Sequence, residues 1–316
     1  MAARWIVERL NPAFAYAYRA GRTLHTGRTA FQDLEVIDSE EFGHTLLLDG
    51  VTQVNSRNEF LYHEPMVHPA LVAHPLPREV LVIGGGDGGI LREVLRHRTV
   101  ERAVLAELDP GVIDFCARHL SEVSAGAFAD PRTRTVIGDG RAFVEGTDER
   151  FDAVIMDMTD PFGPSAMLYT EEFFRAVKRI FRDEDGVFVM HTESPISRPR
   201  TFQQCLHTLA RVFRFRRTFY LYIPMYGVLW SITVASDRID AGALAAAEID
   251  ARLAGRAIGS LRCYTGATHH AMLTPMPFIA DLVEGARALP WLTDAAPRVL
   301  DDIDINREGS LRLSES

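Results

Sequence analysis

Among 34 basic residues the chain has a single lysine, Lys178, and among 316 residues only three cysteines, Cys116, Cys205 and Cys263. The cysteines are widely spaced, odd in number and form no CxxC pair, so neither a disulfide framework nor a thiolate metal site is implied and they read as core residues. No segment supplies the roughly 18 to 20 continuous apolar residues of a membrane span, so no membrane partner is expected. The start, MAARWIVERLNP, lacks a charged region followed by an apolar core and a small-residue cleavage site, and the expected location is cytoplasmic. No internal repeat or low-complexity tract stands out. Positive charge is also short: a formal net charge of −9 disfavours nucleic acid and suits a cationic substrate, although a solvated acidic surface explains it equally well. What is present is a globular composition, 47% apolar and 24% charged, in a chain long enough for one large domain and a smaller one.

Residues 1–72 read as a small antiparallel β domain. FQDLEVIDSEEFGHTLLLDGVTQVN breaks into short alternating runs joined at Ser39 to Gly43 and at Asp49-Gly50, the latter a hairpin signal. From residue 73 to 316 the pattern becomes apolar strands alternating with helical stretches. EVLVIG, RAVLAELD, RTRTVIGDG, FDAVIMDMTD and GVFVMHTES predict five buried strands, with helices near 88–97, 110–121, 141–145 and 170–182 between them. That order implies an α/β fold with a Rossmann-like, doubly wound, mostly parallel sheet. A helix at 199–213 and two antiparallel additions, RFRRTFYLYI and VLWSITVASD, follow. An alanine-rich helix near 241–254 and a loop-rich tail complete the chain, its final dozen residues expected to be disordered.

Four stretches fall at the carboxyl ends of successive strands, where open α/β sheets bind ligands. They are Gly84 to Gly89, Glu107 to Asp109, Gly138 to Gly140, and Asp157 to Pro161. The first, GGGDGG, carries Asp87 inside a glycine loop including Gly84 and Gly86; the carboxylate fits either a helix cap or a ligand that welcomes an anion. Glu107 lies about twenty residues beyond the loop, where an acid receives ribose hydroxyls. Asp139, before Gly140, could accept from the exocyclic amine of adenine, or could belong to an ordinary turn. Together these describe a nucleoside pocket without triphosphate machinery, since there is no GxxxxGK[ST] and Lys178 sits away from the loop. Asp157 and Asp160 precede a Pro/Gly loop. Either they form turns or they face a cation, and with no basic residue nearby in sequence the ligand is expected to supply the charge. HEPMVH at 63–68 spaces its histidines five apart across Pro65, so they share no helical face and no zinc site is implied. His269 and His270 are adjacent and read as solvated or core histidines.

These residues resemble the spermidine synthase family of polyamine aminopropyltransferases, bacterial type. The resemblance runs from TLHTGRTAFQDLEVIDSEEFGHTLLLDGVTQ through EFLYHE, GGGDGGILREVLRH, GDG, DMTDPFGP and HTESP to LRCYTGATHHAMLTPMP, in the family's order. It implies a class I methyltransferase-like catalytic fold and transfer of the aminopropyl group of decarboxylated S-adenosylmethionine to putrescine. Spermidine and 5′-methylthioadenosine would be the products, with no permanently bound cofactor and no metal. The donor keeps its amine and lacks a carboxylate, which makes sense of Asp87 and Asp157 together. By the same resemblance Gln32 and His63 contact the donor, Glu107 takes its ribose and Asp139 its adenine. Tyr62, Asp157, Asp160, Glu193 and Tyr226 would line the acceptor channel, Asp157 with Tyr62 and Tyr226 orienting the amine and taking its proton. A homodimer or homotetramer is implied. Two departures bear on the acceptor: Met158 stands where many relatives have serine or threonine, and MYGVLW is shorter than the usual segment after the tyrosine. The same chemistry on agmatine, cadaverine or spermidine is therefore the alternative. A methyltransferase using intact S-adenosylmethionine and a non-enzymatic polyamine or nucleoside binder are the competing classes.

Overall fold

The computed structural model describes residues 4–301 and the short strand Leu313–Ser314. Apart from that strand, the final dozen residues lie outside the described residues. The chain begins with a hairpin, β1 (Arg4–Asn11) and β2 (Phe14–Arg19), followed by a meander of β3 (Arg22–Arg28), β4 (Asp33–Ser39), β5 (Gly43–Leu48) and β6 (Val51–Asn55). Asp49 and Gly50 take φ of 50° and 84°, the paired left-handed conformations of a tight two-residue hairpin turn. Alternation on β4 buries Leu34 and Val36, which pack with Phe115, Cys116 and Leu120 of the next domain.

Residues 60–73, expected within the β-rich segment, form instead a helix, α1 (Phe60–Ala73), with Pro65 and Pro69 inside it. Twelve of its 14 residues are buried, so it has no polar face to generate a helical period in the sequence. The helix packs on α2 (Gly89–Arg96) and on the strands of the large sheet. We therefore place the domain boundary in residues 56–59, after β6, rather than at 72.

The large sheet comprises β7 (Glu79–Gly84), β8 (Arg102–Glu107), β9 (Thr133–Ile137), β10 (Ala153–Asp157), β11 (Val187–His191), β12 (Phe215–Ile223) and β13 (Val228–Ser236), in the order β12-β13-β11-β10-β7-β8-β9. Strands β7 to β11 pair in parallel, and β13 and β12 are added antiparallel. Both faces are covered. Val80 and Val82 belong to one core with Met66, Val67, Ile90 and Leu91, and Leu81 and Ile83 to another with Phe173, Phe174 and Leu209, which is the period-two consequence of a sheet layered by helices. One of the five expected buried strands departs from this: β9 is the sheet edge and is half-exposed along its length. The remaining helices are α3 (Pro110–His119), α4 (Ser121–Ser124), α5 (Gly140–Gly146), α6 (Glu171–Arg179), α7 (Pro199–Val212), α8 (Ala246–Gly255), α9 (Gly266–Met272) and α10 (Pro277–Gly285). The last two occupy the region expected as a loop-rich tail. No helix among the described residues is long and apolar enough to cross a membrane.

The carboxyl-terminal region is tied to α1 by charge. Arg252 donates to the Val72 and Ala73 carbonyls and Arg256 to those of His74 and Pro75, occupying acceptors that a helix end leaves open. In the reverse direction, the buried Glu64 carboxylate accepts the backbone N–H groups of Arg262, Cys263 and Tyr264 at 2.8, 2.7 and 2.9 Å. An ionised carboxylate only accepts, so three donors suit it fully. Glu64→Ala leaves those groups without partners and is expected to lower stability by about 2–4 kcal/mol, from the usual cost of orphaned buried donors. The urea unfolding midpoint, at unchanged slope, measures this; a midpoint matching the parent chain would show that the segment is held by other contacts.

Candidate active site

Strand order reverses between β7 and β10, and Gly84 pairs in register with Asp157. The loops leaving these two strands therefore lie side by side at a sheet switch point, where a crevice opens. The glycines of the first loop are required by side chains that press on it. A Cβ on Gly85 would stand 2.9 Å from Asp157 Oδ2, and one on Gly89 would stand 2.1 Å from the His63 ring.

Four side chains converge there. Tyr62 Oη donates to Asp157 Oδ1 at 2.8 Å, and His63 Nε2 lies 3.8 Å from Asp87 Oδ1. Ligand atoms of His63, Asp87 and Asp157 all lie within 4.8 Å of one another. Asp87 Oδ1 also accepts the Gly89 N–H at 2.6 Å; the N-cap of α2 is Gly88, in the left-handed conformation, so Asp87 stands one residue before the cap and not in the cap position considered for it. Burial pushes the Asp157 carboxyl up to about 6, reinforced by the field of Asp87 and opposed by His63 and the Tyr62 hydrogen bond. For His63 burial disfavours the charged ring, yet the bond to Glu59 and the fields of Asp87, Glu59 and Asp157 outweigh it and raise its pKa. Glu59 Oε2 is 2.5 Å from His63 Nδ1 and accepts from Arg92 Nη2 at 2.7 Å. Tyr62 meets Tyr226 edge to face at 5.9 Å between ring centroids, and Tyr226 packs on Trp230 at 5.1 Å. Burial raises the pKa of both tyrosines, which keeps them as hydroxyl donors.

A second group of expected site residues stands at neighbouring strand ends. Glu107 closes β8, and its Oε1 accepts the Asp109 N–H at 2.9 Å. Burial raises its carboxyl to about 7. A Cβ on Gly86 would meet Glu107 Oε2 at 3.1 Å, so Glu107 borders the glycine loop directly. The Gly138 N–H donates to the Glu107 carbonyl at 2.9 Å, joining the β8 and β9 ends. Asp139 caps α5, accepting from Arg141 N and Ala142 N at 2.7 and 3.2 Å; Gly140 follows it against Ile83. Gln32 reaches in from the amino-terminal meander. Its amide donates to Asp109 Oδ2 at 3.0 Å, beside the Thr29 hydroxyl at 2.6 Å. Asp109 itself caps α3, so one carboxylate fixes both a helix and the meander.

The other wall corrects the expectation that no basic residue is near the acidic pair. Arg198 Nη1 donates to Asp160 Oδ2 at 2.6 Å and to Glu193 Oε1 and Oε2 at 3.2 and 3.3 Å. Long sequence separation from Asp160 concealed it. Glu193 has no solvent exposure; burial pushes its carboxyl up to about 8, with Asp160 adding and Arg198 opposing. Glu8 of β1 was missed altogether. It accepts from the Thr52 N–H at 2.8 Å and from the Thr52 hydroxyl, and burial, with the field of Asp160 as a lesser cause, raises its pKa. Strand alternation alone could not show that β1 folds over this channel. The short MYGVLW segment is filled from the same hairpin: Tyr16 Oη donates to the Met225 carbonyl, and the Tyr16 ring lies where a Cβ on Gly227 would stand. Met158 turns its sulfur toward Gly84 and its carbonyl toward His191.

Among the described residues two groups have metal-like proximity, His63 with Asp87 and Asp157, and Asp160 with His191 and Glu193. In the second, the Arg198 guanidinium already bridges both carboxylates and offsets one of their charges, and His191 Nε2 faces the Met158 carbonyl at 2.9 Å and the Tyr169 hydroxyl at 2.7 Å. In the first, a histidine whose protonated form is favoured makes a poor ligand, and the arrangement suits an organic ammonium better. The remaining histidines lie elsewhere. His68 bonds His97 and Glu93 inside the core, and His269 bonds Tyr264 and the Ala241 carbonyl.

Comparison with known proteins gives this geometry a family. Residues 59–242 match the spermine/spermidine synthase domain and residues 4–55 the spermidine synthase tetramerisation domain. A polyamine aminopropyltransferase of Nitrosomonas europaea is 41% identical over 318 residues, covering 100% of this chain and 96% of that protein. One from Desulforudis audaxviator is 41% identical over 278 residues, covering 88% and 98%. The crystal structure of spermidine synthase from Thermotoga maritima superposes with a TM-score of 0.80 at 33% identity, covering 89% of this chain and 94% of that one. A spermidine synthase in complex with the transition-state analogue AdoDATO gives 0.79 at 31% identity, with the same coverages. The chain belongs to the spermine/spermidine synthase family and is a polyamine aminopropyltransferase.

Proposed function

We propose that this aminopropyltransferase moves the aminopropyl group of decarboxylated S-adenosylmethionine to putrescine, releasing spermidine and 5′-methylthioadenosine. The observation that carries the proposal is the Asp87–Asp157 pair, held within 4.8 Å beside His63. An ammonium between the two acids relieves their repulsion. The carboxylate of intact S-adenosylmethionine would instead be opposed by roughly 4 kcal/mol per like charge about 4 Å away at intermediate dielectric. The analogue complex of the related spermidine synthase supports the donor class. Gly84, Gly86 and Gly140 let the nucleoside approach the backbone, with Glu107 for the ribose, Asp139 for the adenine, and Gln32 and His63 alongside the donor.

In the reaction, the acceptor nitrogen forms a bond to the methylene beside the sulfonium as the carbon–sulfur bond breaks and its electron pair goes to sulfur. Methylthioadenosine leaves neutral. The acceptor first loses a proton, which from a group of pKa near 10 costs about 4 kcal/mol at pH 7. Asp157, fixed by Tyr62, is placed to orient the amine and take that proton, with Tyr226 against Tyr62. Asp160 and, behind it, Glu193 contribute negative charge toward the acceptor's far end. We further propose a cytoplasmic homodimer or homotetramer acting on small molecules, without nucleic-acid or membrane partners. Three free cysteines are consistent with a reducing compartment, and the tetramerisation-domain match supports the oligomer.

Incubation with decarboxylated donor and putrescine is expected to yield methylthioadenosine by mass detection, undiminished in chelator, because a leaving group that departs neutral needs no Lewis acid. S-adenosylhomocysteine from intact S-adenosylmethionine, with no turnover of the decarboxylated form, would establish methyl transfer instead. A non-enzymatic binder would yield neither product.

Asp157→Asn is expected to lower turnover by roughly a hundred- to ten-thousand-fold, the range of positioned acid–base groups, while methylthioadenosine still binds. The pH profile adds a second reading. Protonation below about 6 discharges Asp157, so kcat/KM should fall as pH drops through that value, above the ordinary aspartate range near 4. An acid limb near 4, or near-normal turnover in the variant, would assign the amine to another group.

Putrescine is expected to win a competition with equal concentrations of cadaverine, agmatine and spermidine. Each misplaced methylene is worth about 1–3 kcal/mol. Dominant aminopropylagmatine or a tetraamine, read by product mass, would overturn the acceptor and leave the transferase standing.

A further inference from the structure

Where acceptor channel acids would be expected to wait for a ligand's ammonium, a residue of this chain already stands between two of them. Arg198 donates through one nitrogen to both Asp160 and Glu193. It is held from two further directions. Its Nε donates to the Leu10 carbonyl of β1 at 3.0 Å and its guanidinium lies 4.7 Å from the centre of the Phe162 ring, while the carbonyl of the preceding Ser197 accepts from Asn11 Nδ2 at 3.1 Å and ties the backbone there to the same hairpin. Only 4% of Arg198 is exposed. A side chain so tied is part of the wall. The other ionisable group that feels its charge, His191, is buried with its pKa lowered by burial and adds no second cation.

We propose that Arg198 is a resident cation that closes the far end of the acceptor channel and limits the acceptor to a diamine with a single distal ammonium. The inference rests on the assignment of Asp157 and Asp160 to the acceptor side. Asp160 remains partly exposed, whereas Glu193 is sealed behind the guanidinium. One distal positive charge can therefore be met by Asp160 while it shares Arg198. A triamine would bring another ammonium toward the guanidinium, which repels it, and would need the length that Arg198 fills. The Arg198 side chain, rather than the number of carboxylates, then sets acceptor length.

The test compares kcat/KM for putrescine, cadaverine and spermidine in the parent enzyme, Arg198→Met and Arg198→Lys. Removing the charge frees Asp160 and Glu193 for a longer cation, so the spermidine-to-putrescine ratio should rise at least about tenfold in R198M, within the range of pocket-based discrimination. R198K keeps a cation and should stay near the parent ratio. A ratio unchanged in R198M, or a loss equal for all three amines, overturns the proposal, because a purely structural residue would scale every acceptor alike. Should R198M not fold, titration calorimetry of the parent enzyme saturated with methylthioadenosine decides: putrescine must bind more tightly than spermidine, and the reverse order overturns it. Absence of transfer to any amine by the parent enzyme would instead refute the acceptor-site assignment beneath it.

Discussion

Two carboxylates that share one partly buried pocket, Asp87 and Asp157, set the terms for everything around them. Burial, and after it the field of Asp87, raise Asp157 toward neutrality, and a neutral Asp157 could not grip an amine. His63 opposes that shift. Glu59 favours its protonated form, and His63 and Arg92 favour the ionised form of Glu59, so the charges that act on Asp157 extend behind His63 to Glu59 and Arg92. The glycine loop follows from the same constraint. Acids and imidazole press against backbone where any Cβ would collide, so glycine is needed before any ligand arrives.

The amino-terminal strands are part of this chemistry and not an appendage. Gln32 meets Asp109, Arg198 meets the Leu10 carbonyl, and Tyr16 meets the Met225 carbonyl. Each contact crosses from the small β domain to a strand end or channel wall of the large one. Glu8 carries a carboxylate across the same boundary. A shift of the hairpin would thus disturb the acceptor side before the nucleoside side, where apart from the Gln32 contact the groups named come from the large sheet's own strand ends.

The Rossmann-like sheet was legible in the sequence because strands buried on both faces read as short apolar runs, and the β-branched residues and the glycine or aspartate flanks of EVLVIG and FDAVIMD favour strand over buried helix. So were the acids at the strand ends. Helix α1 was not legible: buried all round and carrying Pro65 and Pro69, it shows neither an amphipathic stripe nor a normal helix composition. Strand β9 misled in the opposite sense, since an edge strand keeps the β pattern without the burial. Arg198 and Glu8 escaped for a third reason. Asp160 lies 38 residues from Arg198 and Thr52 44 from Glu8, and no local spacing encodes those contacts, although Glu193 is only five residues from Arg198. Charge neutrality was the available clue: a buried acid such as Glu193 demands a partner, and the nearest arginine on the same loop was the candidate to consider.

The placement of charge along the pocket matches the migration of charge in the reaction. Before transfer, positive charge sits on the sulfonium, on the aminopropyl ammonium and on the acceptor's distal end. Afterward, sulfur is neutral, the attacking nitrogen carries the charge that sulfur has lost, and one proton has left the acceptor. The centre of positive charge therefore moves from sulfur toward the acceptor nitrogen. On the proposed assignment Asp87 stays beside the aminopropyl ammonium throughout and gains nothing from the step, whereas Asp157 faces the nitrogen whose proton must leave before it can attack. An interaction that strengthens along the reaction lowers the barrier, and one equally strong at both ends serves binding only. That assignment would divide the two aspartates, near neighbours in space, between holding the donor and taking the acceptor's proton, and the Tyr62 hydrogen bond fixes Asp157 for the second task.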